Sequence, residues 1–304
     1  MTPKQLRRVM IANDSLDGME RALDKAAMIE HYSGAEVLVV ATVYDRIAEE
    51  PAEVLPRHEQ AQLIEALKAA ERQALQRLVE PYRPRLASLE TRLVWAKNAA
   101  DGIVEAASRW NAELLIKPVS EHHPIADYLH TPLDWALTRH APCAVLISKG
   151  ASWTPPGPIL AAVDVADEAH HSLSREVLRM AGLLASILGT ELHVVTAYPD
   201  LGQSVNELQV ATDYAGIKTD MWESRSRLLS ATVGELALTP SQTHVLEGKP
   251  GRVIPALVRE LKPALTVLGT AARRGLSKLV IGNTSEDLVG RIEGDLVTVR
   301  DPWS

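Results

Sequence analysis

The chain of 304 residues repeats itself. Val9 to Asn13 is an apolar run leading into Asp14, and 150 positions later Ile159 to Val163 leads into Asp164. Gly34-Ala35-Glu36-Val37 is answered by Gly189-Thr190-Glu191-Leu192 at an offset of 155. Thr131 to Ile147 aligns without a gap to Asn283 to Val299 at an offset of 152. Offsets that drift by a few residues mean small loop insertions between equivalent elements. The chain is two copies of one unit, each long enough to bury its own core. The join is expected around Gly150 to Pro158, where Pro155, Pro156, Gly157 and Pro158 cluster. Two domains follow, residues 1–150 and 151–304.

Each copy alternates apolar runs with helical patterns. In the first, Arg8 to Asn13 reads as a strand, and Asp14-Ser15 as the cap of a helix over Met19 to His31 that Gly34 stops. Val37 to Val43 is continuously apolar, as strands buried on both faces are. Residues 57 to 80 read as a long amphipathic helix, and Leu89 to Trp95 as an alternating strand. Ile103 to Trp110 is a helix, Leu114 to Ile116 a short strand, Pro132 to Arg139 a helix and Cys143 to Ile147 the fifth strand. Strands alternating with helices imply a parallel sheet covered on both faces, with right-handed crossovers. In such sheets ligands sit beyond the carboxyl ends of the strands, where the strand order reverses.

The second copy adds a glycine loop. Ala264 to Leu268 is apolar; then come Gly269, two residues to the small residue Ala272, nine more residues, and Gly282-Asn283, with a helix pattern over Thr284 to Ile292. Glycines between a strand and a helix let backbone N–H groups approach an anion, since no Cβ intervenes. The spacing is neither Walker A nor the GxGxxG of dinucleotide folds.

This loop resembles the nucleotide loop of the universal stress protein family, where a second glycine and a terminal Ser or Thr are usual. Here Ala272 and Asn283 stand at those places. Alanine loses easy access to positive φ, and asparagine donates from its amide, further out than a hydroxyl. The resemblance covers the whole chain in the family's tandem form. It is carried by Ile116-Lys117-Pro118 and Thr131-Pro132-Leu133-Asp134-Trp135 in the first copy, and by Asp164-Val165, Leu268-Gly269-Thr270 and Gly282-Asn283-Thr284-Ser285-Glu286 in the second. It implies an α/β fold of two tandem, doubly wound, parallel five-stranded sheets, order 3-2-1-4-5, packed as a pseudo-dimer. It also implies a small-molecule ligand, ATP with magnesium or another adenine nucleotide. Asp164 would meet the adenosine part, Ala197 the adenine through its backbone, and Gly269, Ala272, Gly282, Asn283 and Thr284 would form the loop. Asp164 serves equally well as a helix cap, and Gly269 and Gly282 as plain turn glycines.

The first copy has Pro118 where Gly269 stands and His130 where Gly282 stands. Proline has no N–H to offer a phosphate, so this copy should not bind in the family manner, and Asp14 reads as a cap. Its role would be to pair with the second copy within the chain. Protein partners, a homodimer and a separate ligand stay open.

A net charge of −7 offers no general attraction to nucleic acid or an anionic membrane. Arg273, Arg274 and Lys278 suit a phosphate better than a duplex. The single cysteine, Cys143, excludes intrachain disulfides and reads as a small buried apolar residue. Neither a signal-peptide core nor a membrane-length apolar run is present, so the cytoplasm is expected. Glu121, His122, His123, His130 and His140 match no metal-site spacing and read as exposed, as do His170 and His171. Asn283-Thr284-Ser285 is formally a glycosylation acceptor, without meaning in a cytoplasmic chain.

No nucleophile elbow, HExxH, EF-hand or Walker A occurs. The first expectation is a non-enzymatic stress protein binding a small ligand in its second domain, with stress survival, DNA-damage resistance included, implied by the family. The alternatives are a slow magnesium-dependent ATPase or phosphotransfer protein, and an interaction scaffold whose site is vestigial or holds a lipid-like molecule.

Overall fold

A computed structural model of the chain describes residues 5–13, 16, 18–49, 54–119, 132–149, 153, 155–200, 214–270 and 283–300. They fall into two compact units that divide between Ser148 and Lys149.

The first unit runs β1 (Arg8–Asn13), α1 (Met19–Ser33), β2 (Glu36–Val43), α2 (Arg57–Val79), β3 (Leu89–Trp95), α3 (Ala99–Trp110), β4 (Leu114–Pro118), α4 (Pro132–His140) and β5 (Ala144–Ser148). All of these strands pair in parallel, in the order β3-β2-β1-β4-β5. The second unit runs β6 (Ile159–Ala162), α5 (His171–Leu188), β7 (Leu192–Tyr198), α6 (Tyr214–Glu235), β8 (Gln242–Glu247), α7 (Pro250–Leu261), β9 (Leu265–Thr270), α8 (Asn283–Arg291) and β10 (Asp295–Arg300). Its order is β8-β7-β6-β9-β10, again parallel throughout. Each unit is therefore the doubly wound parallel sheet, in the order 3-2-1-4-5 that the resemblance implies.

Burial explains the strand sequences. β4, β5 and β6 are buried at every position, and β2 at all but its two ends, which is why they read as largely apolar runs, with Lys117 in β4 the charged exception. The outermost strands β3 and β8 are half exposed and carry polar residues between apolar ones.

The helix ends follow local chemistry. Gly34 and Gly189 terminate α1 and α5 at φ of 69° and 61°, a conformation that costs glycine nothing, and each N–H closes the last turn. α3 begins four residues before the expected Ile103, because the Asn98 side chain accepts from the Ala100 N–H at 3.0 Å. Gly18 occupies the N-cap of α1, with φ of 72° and no side-chain hydrogen bond, and Asp14 and Ser15 lie outside the described residues.

The repeat needs one adjustment. Val9 pairs with Leu114 and Ile159 with Leu265, so the fourth strands correspond at an offset of 151, which sets Pro118 at the place of Gly269. The helix phase extends this offset, since buried Leu137 and Thr138 in α4 match buried Leu288 and Val289 in α8. The offset of 152 followed residue likeness and loses to helix phase by one position. Thr131, rather than His130, then falls at Gly282; all three lie outside the described residues.

The start of the second unit is pinned by a buried carboxylate. Asp295, at the head of β10, accepts the Lys149 backbone N–H at 2.9 Å and the Trp153 indole N–H at 2.8 Å. The Lys149 ammonium donates to the carbonyls of Val289 and Ile292, closing the end of α8 that lacks partners of its own. Lys149, Trp153 and Asp295 are all buried. Replacing Asp295 by Ala strands an indole and a backbone N–H away from water. Urea denaturation should show a loss of about 2–4 kcal/mol, since each buried donor left unmet costs about 1–3. An unchanged midpoint would remove this anchor from the account.

Candidate functional site

Strand order places the candidate site. β6 and β9 are neighbours in register, Ala162 opposite Leu268, so the chain leaving β6 and the chain leaving β9 emerge side by side. Asp164 lies two residues past the end of β6, and Gly269 is the penultimate residue of β9. Both stand at the carboxyl ends of the strands, at the point where the strand order reverses.

Asp164 organises the turn between β6 and α5. One carboxylate oxygen accepts the Ala166 N–H at 3.0 Å, and the other lies 3.0 Å from Nδ1 of His170. Its carbonyl accepts the Ser174 hydroxyl at 2.7 Å. Asp167 caps the short 3-10 turn Glu168–His170 by accepting from the Ala169 N–H. Asp164 thus caps a turn, and α5 starts later, at His171. Its side chain remains about half exposed, at 52%. His170, read from the sequence as an exposed residue of this turn, lies there partly exposed and in addition meets the Asp164 carboxylate. A carboxylate six residues upstream was the only signal for it.

Gly269 has a packing role that spacing did not disclose. A Cβ built there would lie 2.6 Å from Leu173 Cγ and 2.7 Å from one of its methyls. Its φ is not in the left-handed region, so glycine is required for room and not for conformation. Leu173 belongs to the first turn of α5 and is buried. The glycine that reads as an approach for an anion therefore also admits the start of α5 onto β9.

The remaining candidates are placed in part. Ala197 is half-buried in β7, opposite Leu246 of β8. Asn283 and Thr284 open α8, and their side chains are not described. Ala272, Gly282, Arg273, Arg274 and Lys278 lie outside the described residues, as do Glu121, His122 and His123. His140 ends α4, exposed. Among the described residues, no cluster of three or more His, Cys, Asp or Glu is arranged to hold a metal. Cys143 is half-buried, and burial pushes its thiol up to about 12, away from thiolate chemistry.

The comparable point of the first unit carries other residues. Pro118 replaces Gly269, and a Cβ at Gly18 would lie 2.9 Å from the Val119 carbonyl oxygen and 3.4 Å from Pro118 Cβ. The start of α1 rests on the backbone that follows β4.

A family model described as the universal stress protein family matches residues 5–149 and again 157–300. The chain belongs to the universal stress protein family. A universal stress protein E homolog from Haemophilus influenzae is 27% identical over 297 residues, covering 95% of this chain and 94% of that protein. Universal stress protein E of Escherichia coli K12 is 24% identical over 302 residues, covering 97% and 94%. Among solved structures, a protein of unknown function from Pseudomonas aeruginosa PAO1 matches with a TM-score of 0.72 at 26% identity, over 98% of this chain and 93% of that one. A universal stress protein from Archaeoglobus fulgidus shares the fold at 14% identity, with a TM-score of 0.67 over 98% and 99%.

This universal stress protein carries a further polar feature on the outer strands of its second unit. His193 Nδ1 lies 3.2 Å from His244 Nε2, and His193 Nε2 lies 3.3 Å from Glu191. Burial, then the neighbouring His193, pushes the His244 pKa down, against a raising pull from Glu260. No helix among the described residues is long and apolar enough to cross a membrane.

Two outcomes follow. Gly269→Ala should lower stability by about 1–3 kcal/mol through overpacking, and the same change on a Leu173→Ala background should cost far less. A double-mutant cycle with no coupling would separate the two residues. His244 is held neutral in the fold below the pH at which the unfolded chain takes up a proton. Stability should therefore fall as pH drops through about 6.5, the unperturbed histidine value. His244→Asn should flatten that slope in urea titrations between pH 7.5 and 5.5; an unaltered slope would contradict the sign.

Proposed function

We propose that this chain is a non-enzymatic stress protein whose second unit binds an adenine nucleotide, ATP with magnesium being the first candidate, in the crevice above β6 and β9. The binding residues in this reading are Asp164, Ala197, Gly269, Ala272, Gly282, Asn283 and Thr284. The supporting observation is that Asp164 and the glycine-bearing end of β9 lie on adjacent parallel strands at the reversal of strand order. Asp164 keeps an exposed carboxylate there, already oriented by Ala166 and His170. Its solvent-facing edge suits ribose hydroxyls, which donate to carboxylates. The backbone N–H groups that open α8 suit a phosphate. The relatives' name points to stress survival, and DNA-damage resistance belongs to the same reading. Cytoplasmic residence fits this role, as does a first unit that serves as a partner for the second.

A second reading has an observation of its own. Leu173 already fills the space over Gly269, which favours a scaffold with a vestigial or apolar-lined site over a slow ATPase.

Calorimetric titration of Mg-ATP into the full chain separates these readings. One equivalent should bind, with affinity lost in Gly282→Trp and reduced at least tenfold in Asp164→Asn, which keeps an oxygen for the Ala166 N–H while removing the charge. Gly269 is a poor probe, because its substitution disturbs α5. No heat at millimolar ATP would overturn the nucleotide reading in favour of the scaffold.

A further inference from the structure

The first unit buries a charge pair near the carboxyl end of β4. Lys117, in β4, and Asp134, in the first turn of α4, lie 3.0 Å apart with side chains 3% and 1% exposed. The Lys117 ammonium also donates to the Pro118 carbonyl at 2.7 Å. Taking two charges out of water is costly, and an apolar pair of similar volume packs as well or better, so such a pair marks a constraint other than stability. The second unit shows the apolar alternative on the strand, since buried Leu268 stands at the place of Lys117.

We propose that the first unit is occupied from within: the Asp134 carboxylate takes the place of a ligand anion at the start of α4, and Lys117 neutralises it. Two points carry this. α4 and α8 correspond at the same offset as the strands before them, so Asp134 sits in the first turn of the helix matching the one that opens at Asn283. The positive end of a helix favours an anion there, whether it comes from a ligand or from the chain itself. The first unit is then a permanently filled counterpart of the second, whose crevice is left to a free ligand. The position of the anion rests on the nucleotide reading of the second unit; the burial of the pair does not.

Chemical rescue tests this without nucleotide. Thermal unfolding of the full chain is followed for wild type, Asp134→Ala and Lys117→Met/Asp134→Ala, in acetate and in chloride at equal ionic strength. Asp134→Ala leaves a buried ammonium unmatched, and its midpoint in chloride should drop by roughly 10 °C. Acetate, a carboxylate small enough for the vacated space, should restore at least half of that loss. Wild type and the double variant should respond alike to both salts. Should Asp134→Ala fail to fold in chloride, refolding yield becomes the readout, with recovery in acetate alone supporting the proposal. Equal failure in both salts, a wild-type midpoint for Asp134→Ala, or an acetate gain in the double variant as large as in the single one would each overturn it. Because no arm contains ATP, failure here leaves the second unit's nucleotide reading to its own titration.

Discussion

Parallel pairing is the constraint on which the rest depends. Strands laid side by side in one direction need a helix to return the chain after each one, and those helices bury both faces of the sheet. This accounts for the largely apolar runs of β2, β4, β5 and β6 and for the half-polar strands at the margins of each unit. It also brings every carboxyl end to one edge. With the order 3-2-1-4-5, the first and fourth strands of each unit diverge to opposite sides above the same crevice, so Asp164 and Gly269 share it although they are far apart in the chain.

The two units meet this constraint with reciprocal side chains. In the second, a large residue at the start of α5, Leu173, fills the room left by Gly269 on β9. In the first, Gly18 at the start of α1 makes room for Pro118 and Val119 after β4. The same small space is filled from opposite sides. The choice has a chemical consequence, because proline removes a donor at a place where glycine leaves one. A buried carboxylate and ammonium then stand in the first unit where the second has an apolar strand residue. Two copies of one architecture thus differ in side chains at the same point of the sheet, where the second holds an exposed carboxylate, Asp164.

Much of this fold was legible in the residues. Both β1 and β3 fall where the apolar patterns put them, and Gly34 and Gly189 stop their helices because only a left-handed residue ends a helix in that way. The start of α3 was missed for a local reason, the Asn98 side-chain bond to Ala100 two residues on. Elsewhere local patterns failed where the cause was distant. The role of Gly269 depends on Leu173, and no spacing within the loop encodes a partner on another element. The Lys149, Trp153 and Asp295 anchor joins a linker to the last strand, and Asp295 on its own reads as an ordinary surface acid at a strand start. The candidate site was legible as position, since strand ends and glycine spacing are local. It was not legible as chemistry, since His170, Leu173 and Lys117 gain their roles only through contacts made by folding.

Hydrogen exchange on the full chain, followed peptide by peptide with and without Mg-ATP, tests the central claim most directly. The account predicts slowing confined to the segments that follow β6 and β9, from Asp164 to Leu173 and from Thr270 to Thr284, with Lys117 to Asp134 unchanged. Slowing in the first unit instead, or none in either, would contradict it.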